Sequence, residues 1–286
     1  MCIRDRSSAS AWRLAGIYKT ATPIGRKCVL NFGTSALIIT TDGWIPLESL
    51  FQQSLAQPVV PLSDKIRLAF AQAAADWSAQ PGWQAIYYPA GRYLLVNIPQ
   101  SSYTSSATSR PMYQYVMNTQ TRQWCRFTGQ DARCWALLNN VLYFGGVNGK
   151  VYKADTGYVD GTTPISYRAK QAYNYFGMRG RVKQWTMARL TLLTDSSSPG
   201  GSIYVDTDFG SQDLAASGAI TSTGGATWDV PDWDTVYWDA SAAIVQEWQT
   251  YGGIGHCAAL VVLINTNGAQ LSWYATDWLL RPGAMI

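Results

Sequence analysis

Charge is scarce in this sequence. Lys, Arg, Asp and Glu make up 14% of its 286 residues, against about 25% in typical soluble domains. Aromatic residues reach 13%, so a disordered chain, which would be charge-rich and aromatic-poor, is excluded. Long apolar runs are lacking too. The longest nearly uncharged one, Ala258 to Ile264, falls far short of the roughly 20 residues a spanning helix needs. Met1–Trp12 has no apolar stretch of the kind a secretory signal carries. His256 is the one histidine, and the five cysteines (Cys2, Cys28, Cys125, Cys134 and Cys257) form no CxxC pair. A structural zinc, which needs four ligands at short spacings, is therefore not expected. Cys28, Cys125 and Cys134 lie in apolar, β-like runs and read as small buried core residues. The sequence also holds no P-loop, no G-x-G-x-x-G opening a helix after a strand and no nucleophile elbow, so neither an enzyme nor a bound cofactor is expected.

What is present is strand grammar. Thirteen Trp and seventeen Tyr stand against seven Phe, a bias towards rings with one apolar and one wet end. Ala36-Leu-Ile-Ile-Thr-Thr, Asp42-Gly43 and Trp44-Ile-Pro-Leu read as strand, turn and strand. Cys134-Trp-Ala-Leu-Leu, Asn139-Asn140, Val141-Leu-Tyr-Phe-Gly-Gly, Asn148-Gly149 and Lys150-Val-Tyr-Lys-Ala repeat the pattern. Between them lies a further meander over 83–88, 93–98, 113–118 and 123–127. Gly43 and Gly149 are 106 residues apart, about two units of the 40–50 residues in a propeller blade. A β-sandwich with similar hairpins is the alternative. One helix is expected near 63–78, with Ser63 as N-cap and Asp64 in the first turn, ended by Pro81-Gly82. It reads as a surface insertion packed on the blades.

The composition shifts at Asp160-Gly-Thr-Thr-Pro164, which places a boundary there. The expected organisation is all-β: about three blades of a partial β-propeller over 12–160, then a β-sandwich or barrel-like domain over 161–286. Residues 1–11 are set apart, because Met1–Arg6 resembles translated sequencing-adapter DNA. The natural chain is then expected to extend further at its N-terminus.

Net charge is +4, unevenly placed. Arg168, Lys170, Arg179, Arg181, Lys183 and Arg189 form a basic block with no acid among them, and from Asp195 to Glu247 there are nine acids and no base. Such an arrangement fits subunits that meet positive face to negative face, or contact with nucleic acid phosphates. Within the acidic stretch, Asp229, Asp232, Asp234 and Asp239 alternate with Trp228, Trp233, Tyr237 and Trp238. Carboxylates beside aromatic rings could form a glycosidase subsite or bind Ca²⁺. The favoured reading is an irregular loop whose Trp residues plug apolar pockets while the Asp residues form turns.

Five stretches, in order, carry a resemblance: "ALIITTDGWIPLESL" with "LSDKI"; "YYPAGRYLLVNIP"; "YFGGVNGKVYKADTGYVDGTTPI"; "YFGMRGRVKQWTMARLTL"; and "WQTYGGIGHCAALVVLINTNGAQLSWYATDWLLRPGAMI". The chain resembles the tail hub or nozzle proteins of short-tailed bacteriophages, also labelled packaged-DNA stabilisation or tail tubular proteins. The resemblance implies a propeller joined to further β-domains. It also implies a homo-oligomeric ring, usually a hexamer, that continues the DNA channel below the portal and its adaptor. Expected partners are further copies of the chain, the portal-adaptor and other tail proteins, with non-specific DNA contact in the channel and no membrane. The expected location is the virion tail, after synthesis in the host cytoplasm. The subunit interface is then expected at Arg179, Arg181, Lys183 and Arg189 of one copy. On its neighbour the expected residues are Trp228, Asp229, Asp232, Trp233, Asp234, Trp238 and Asp239. The competing expectation is a carbohydrate-binding or carbohydrate-cleaving propeller.

Overall fold

The computed structural model describes residues 21–33, 35–51, 59–102, 111–194, 200–210, 243–246, 248–265 and 270–285. It is predominantly β, and the chain divides into two compact units, Met1–Thr156 and Gly157–Ile286.

Three antiparallel sheets follow one another in the first unit. The first holds β1 (Val29–Phe32), β2 (Ser35–Thr40) and β3 (Gly43–Pro46). The second holds β4 (Gln84–Tyr88), β5 (Tyr93–Pro99), β6 (Met112–Asn118) and β7 (Trp124–Thr128). The third holds β8 (Ala132–Leu138), β9 (Val141–Gly146) and β10 (Val151–Lys153). Within each sheet the strands pair in chain order, so each is an up-and-down meander. The turns follow from local chemistry. Asn139 and Asn140 adopt φ of 50° and 59°, the left-handed pair that a two-residue type I′ hairpin requires and Asn tolerates. The first hairpin turns one residue earlier than its Asp-Gly pair suggests. Thr40 pairs with Gly43, which leaves Thr41 and Asp42 as the loop.

The middle sheet is apolar on both faces, and that determines how the three sheets stack. Leu94, Val96 and Ile98 of β5, with Tyr113, Tyr115 and Met117 of β6, pack against Leu37, Ile39 and Trp44 of the first sheet. On the opposite face Ile86, Tyr88, Leu95 and Val116 pack against Ala132, Trp135 and Leu142 of the third. Each buried side chain of this size contributes about 1.5–3 kcal/mol. A row of amides supplements this second core. Gln84, Asn97 and Gln114 lie directly opposite one another on β4, β5 and β6. Asn97 donates to the carbonyls of Gly82 (3.0 Å) and Ala132 (2.8 Å). Gln114 donates to Asn97 Oδ1 (2.8 Å) and to the Gln130 carbonyl (2.9 Å).

Two α-helices are present among the described residues where one was expected. The short α1 (Leu47–Phe51) follows β3 directly. A 3-10 turn, Asp64–Ile66, leads into α2 (Arg67–Trp77). Ser63 does not cap this helix. Its hydroxyl accepts the main-chain N–H of Trp44 at 3.2 Å, so the serine ties the helix start to β3. The helix packs by one face only: Phe70, Ala73 and Ala74 of α2 enter the core with the first two sheets, and the rest of it is largely exposed, as a surface helix packed on the sheets would be.

The second unit begins with a small hairpin, β11 (Val159–Asp160) and β12 (Thr163–Pro164), where the sequence suggested only a boundary. One sheet runs β13 (Ser166–Lys170), β18 (Ala258–Asn265), β15 (Gly200–Thr207). The other is built on the 14-residue β14 (Arg181–Thr194). One edge of β14 pairs with β16 (Ala243–Val245) and β17 (Trp248–Gly255), the other with β19 (Leu271–Met285). Trp185, Ala188, Leu190 and Leu192 of β14 meet Ile203, Val205, Leu260, Val262 and Ile264 of the other sheet in a single core. Of the sandwich or barrel-like domain expected here, a closed barrel does not form among the described residues; the two sheets stay open and face each other across this core.

Candidate interaction surfaces

The basic block of the sequence separates into distinct settings. Lys170, at the end of β13, donates to Asp206 Oδ2 at 2.6 Å and to the Tyr173 hydroxyl at 2.9 Å. The hydrogen bond to Asp206, then that to Tyr173, pushes the lysine's pKa above its ordinary value. This cation is consumed inside the unit.

Lys183 is consumed more completely. It is fully buried on β14, and its Nζ donates to the carbonyls of Met178 (2.5 Å), Arg181 (3.0 Å) and His256 (2.6 Å). An ammonium has three donors, and each meets a main-chain acceptor. Lys183 is therefore an internal clasp, and its ammonium does not reach a surface where a neighbour could meet it.

Arg189 lies on the outer face of the β14 sheet, opposite Trp248 on β17 and Asp277 on β19. Its Nε (2.9 Å) and Nη2 (2.7 Å) both donate to Asp277 Oδ2. The guanidinium stands 4.9 Å from the centre of the Trp248 ring. Tyr274 and Leu279 of β19 and Ile254 of β17 are exposed. Because the inner face of this sheet is filled by the core, its outer face is left as a mixed aromatic, aliphatic and charged surface.

Arg179 and Arg181 are exposed at the turn that leads into β14. The turn is held from inside. Phe176, at φ 51° beside Gly177 at 74°, packs against Trp185 and Trp278 at 5.2 and 5.7 Å between ring centres. The Asn174 side chain accepts the Phe176 N–H at 2.7 Å, and Arg179 lies over the Tyr175 ring at 4.8 Å.

His256 and Asp208 meet at the same end of the unit. Asp208 Oδ1 accepts the main-chain N–H of His256 (2.7 Å) and of Cys257 (3.1 Å), and its other oxygen is 3.6 Å from His256 Nδ1. Burial disfavours the Asp208 carboxylate, but the amides of Cys257 and His256, with the imidazole, outweigh it and hold its pKa below the ordinary value. The Asp is a turn clamp between the end of β15 and the β17–β18 connection.

Trp228, Asp229, Asp232, Trp233, Asp234, Trp238 and Asp239 lie outside the described residues. The cysteine expectation needs correction: Cys125 and Cys134 are exposed and Cys28 is half-buried, while Cys257 is buried. Cys125 and Cys134 sit on strands with a solvent-facing side, which an apolar sequence run does not reveal. Arg281, Ile254 and Phe209 were not singled out by sequence. The register puts Arg281 and Ile254 on either side of Gln184, a proximity that residues about 70–100 positions apart do not advertise.

Among the described residues, no group of three or more His, Cys, Asp or Glu is placed to hold a metal ion. No helix there is long and apolar enough to cross a membrane. No family model matches the chain, and no curated protein matches it.

Proposed function

We propose that this chain is a structural subunit of the tail of a short-tailed bacteriophage, a hub or nozzle component that assembles into a ring around the DNA path. Two features support the reading. The first is the ordered run of sequence phrases that resembles this family. The second, which carries the structural argument, is the stacking of three meander sheets with their first strands side by side. Lys27, just before β1, forms a parallel bridge to Gln84 of β4, and Gln84 bonds the main chain of Trp135 on β8. Successive propeller blades meet in this way, each sheet covering the face of the next. On this reading the three sheets are an arc of blades.

An arc has an open face, and the third sheet has one. Leu138 and Val151 are 62% and 74% exposed, and their cross-strand partners Val141 and Gly145 alternate along β9 with the core residues Leu142 and Phe144. A subunit built for assembly needs such faces, because ring contacts bury complementary patches on adjacent copies. In the virion these faces would meet further copies, the adaptor below the portal and other tail proteins. The test is the mass of the purified chain in solution. A closed ring of several copies is the expected result. A monomer that is retained on a glycan column, and released by Trp233→Ala, would replace this reading with the carbohydrate-binding one.

A further inference from the structure

We propose that one end of the second unit is the seat for the acidic, tryptophan-bearing stretch 228–239 of a second copy, and that Lys183 is the positioning residue beneath it. The inference rests on the assembly reading above and names the surface and the segment that meet.

Three exposed arginines mark this end. Arg179 and Arg181 stand on the turn into β14. Arg281 of β19 lies opposite Gln184, one residue beyond Lys183. None of the three forms a salt bridge among the described residues. The nearby carboxylates are spent elsewhere: Asp206 on Lys170 and Asp208 on the amides of His256 and Cys257. The result is uncompensated positive charge with guanidinium groups, which pair with carboxylates through two parallel hydrogen bonds.

Apolar groups accompany the arginines. Ile254, 69% exposed, is the other cross-strand partner of Gln184. Phe209, 67% exposed, packs on Tyr173 at 4.4 Å where the chain approaches the turn. Arginine beside exposed aliphatic and aromatic groups is the composition of an interface centre. A phosphate backbone would use the charge and leave Ile254 and Phe209 in water, so a protein segment fits better than nucleic acid. The sequence supplies such a segment: 228–239 carries four Asp and three Trp with no base.

The seat is preorganised, and Lys183 is the reason. Its ammonium joins Met178 and Arg181 of the cationic turn to His256 of the opposite turn, while Phe176 anchors the turn in the core. Binding then need not order a loop, which would otherwise cost affinity.

The test titrates the full chain with a fluorescent peptide of the sequence 228–239, alongside random-sequence duplex DNA. Saturable peptide binding is expected, weakened at least tenfold in the triple variant Arg179→Gln, Arg181→Gln, Arg281→Gln with its circular dichroism unchanged. Lys183→Met is expected to weaken binding and to speed amide exchange at Met178–Arg181. Should that variant not fold, the arginine triple decides alone. Equal peptide binding by wild type and triple variant overturns the proposal, as does DNA displacing the peptide from the arginines. A chain that stays monomeric yet binds the peptide through them keeps the seat and removes the ring. A ring whose mass the triple variant leaves unchanged does the reverse.

Discussion

Gln84 and Trp135 clasp each other across two sheets. The side-chain amide of Gln84 donates to the Trp135 carbonyl at 2.7 Å and accepts the Trp135 N–H at 2.9 Å, taking the place of a neighbouring strand for β8. Both residues are buried, so neither main-chain group has water to fall back on. Gln84→Leu keeps the volume and orphans a donor and an acceptor, each at about 1–3 kcal/mol. A loss of about 2–4 kcal/mol is expected in denaturant unfolding. A variant within 0.5 kcal/mol of wild type would mean that the third sheet is held by its apolar contacts alone.

Gly43 is the tightest backbone position of the first hairpin. It sits at φ 128°, and a Cβ there would stand 2.9 Å from the Pro61 side chain and closer still to the Ser63 hydroxyl. That hydroxyl accepts the Trp44 N–H, so Gly43→Ala both strains the backbone and displaces a buried hydrogen bond. A cost of about 2–4 kcal/mol follows from these two effects. Ser63→Ala removes only the acceptor and is expected to cost about 1–2 kcal/mol. Thermal unfolding of the two variants should rank them in that order.

Strand positions were legible because their signals are local. Asn139-Asn140 and Asn148-Gly149 announce turns by residue type, and the aromatic or β-branched apolar runs over 113–118 and 258–265 announce strands. The short α1 was not legible: five residues, Leu47–Phe51, are too few to establish a helical period. β17 was missed because Gly252, Gly253 and Gly255 interrupt its pattern. The candidate surface was less legible still. A lysine within a basic block is read as exposed, since lysine is almost never fully buried. What buries Lys183 is three carbonyls, one of them 73 positions away. Likewise Arg281 joins Arg179 and Arg181 only through the pairing of β19 with β14.

Asp208 gives the second unit a defined acid response. Its pKa in the folded protein is lowered, so its contribution is fully present above the ordinary carboxylate value near 4. It is lost as pH falls through the depressed folded value. The side chain is 46% exposed, so solvent screening keeps the effect below about 1 kcal/mol. Asp208→Asn should lower stability at pH 7 and flatten its pH dependence below pH 4. An unchanged acid limb in the variant would assign that limb to other carboxylates.

Thiol chemistry reads the burial pattern directly, and it separates the two units. Cys125 and Cys134 of the first unit are exposed, while Cys257 of the second is buried with its sulfur 3.7 Å from Asp208 Oδ1. Reaction with a thiol reagent requires access as well as thiolate. Under native conditions Cys134 should be labelled first, Cys125 more slowly because burial pushes its thiol up and its sulfur donates to the Val116 carbonyl, and Cys257 only when its turn opens. Peptide mass spectrometry after timed labelling gives the order. Asp208→Asn keeps the side chain's size but weakens its hold on the His256 and Cys257 amides, so it should raise the Cys257 rate severalfold and leave Cys125 and Cys134 unchanged. Equal acceleration at all three sites would point to global unfolding; no acceleration at Cys257 would show that the clamp is not what protects it.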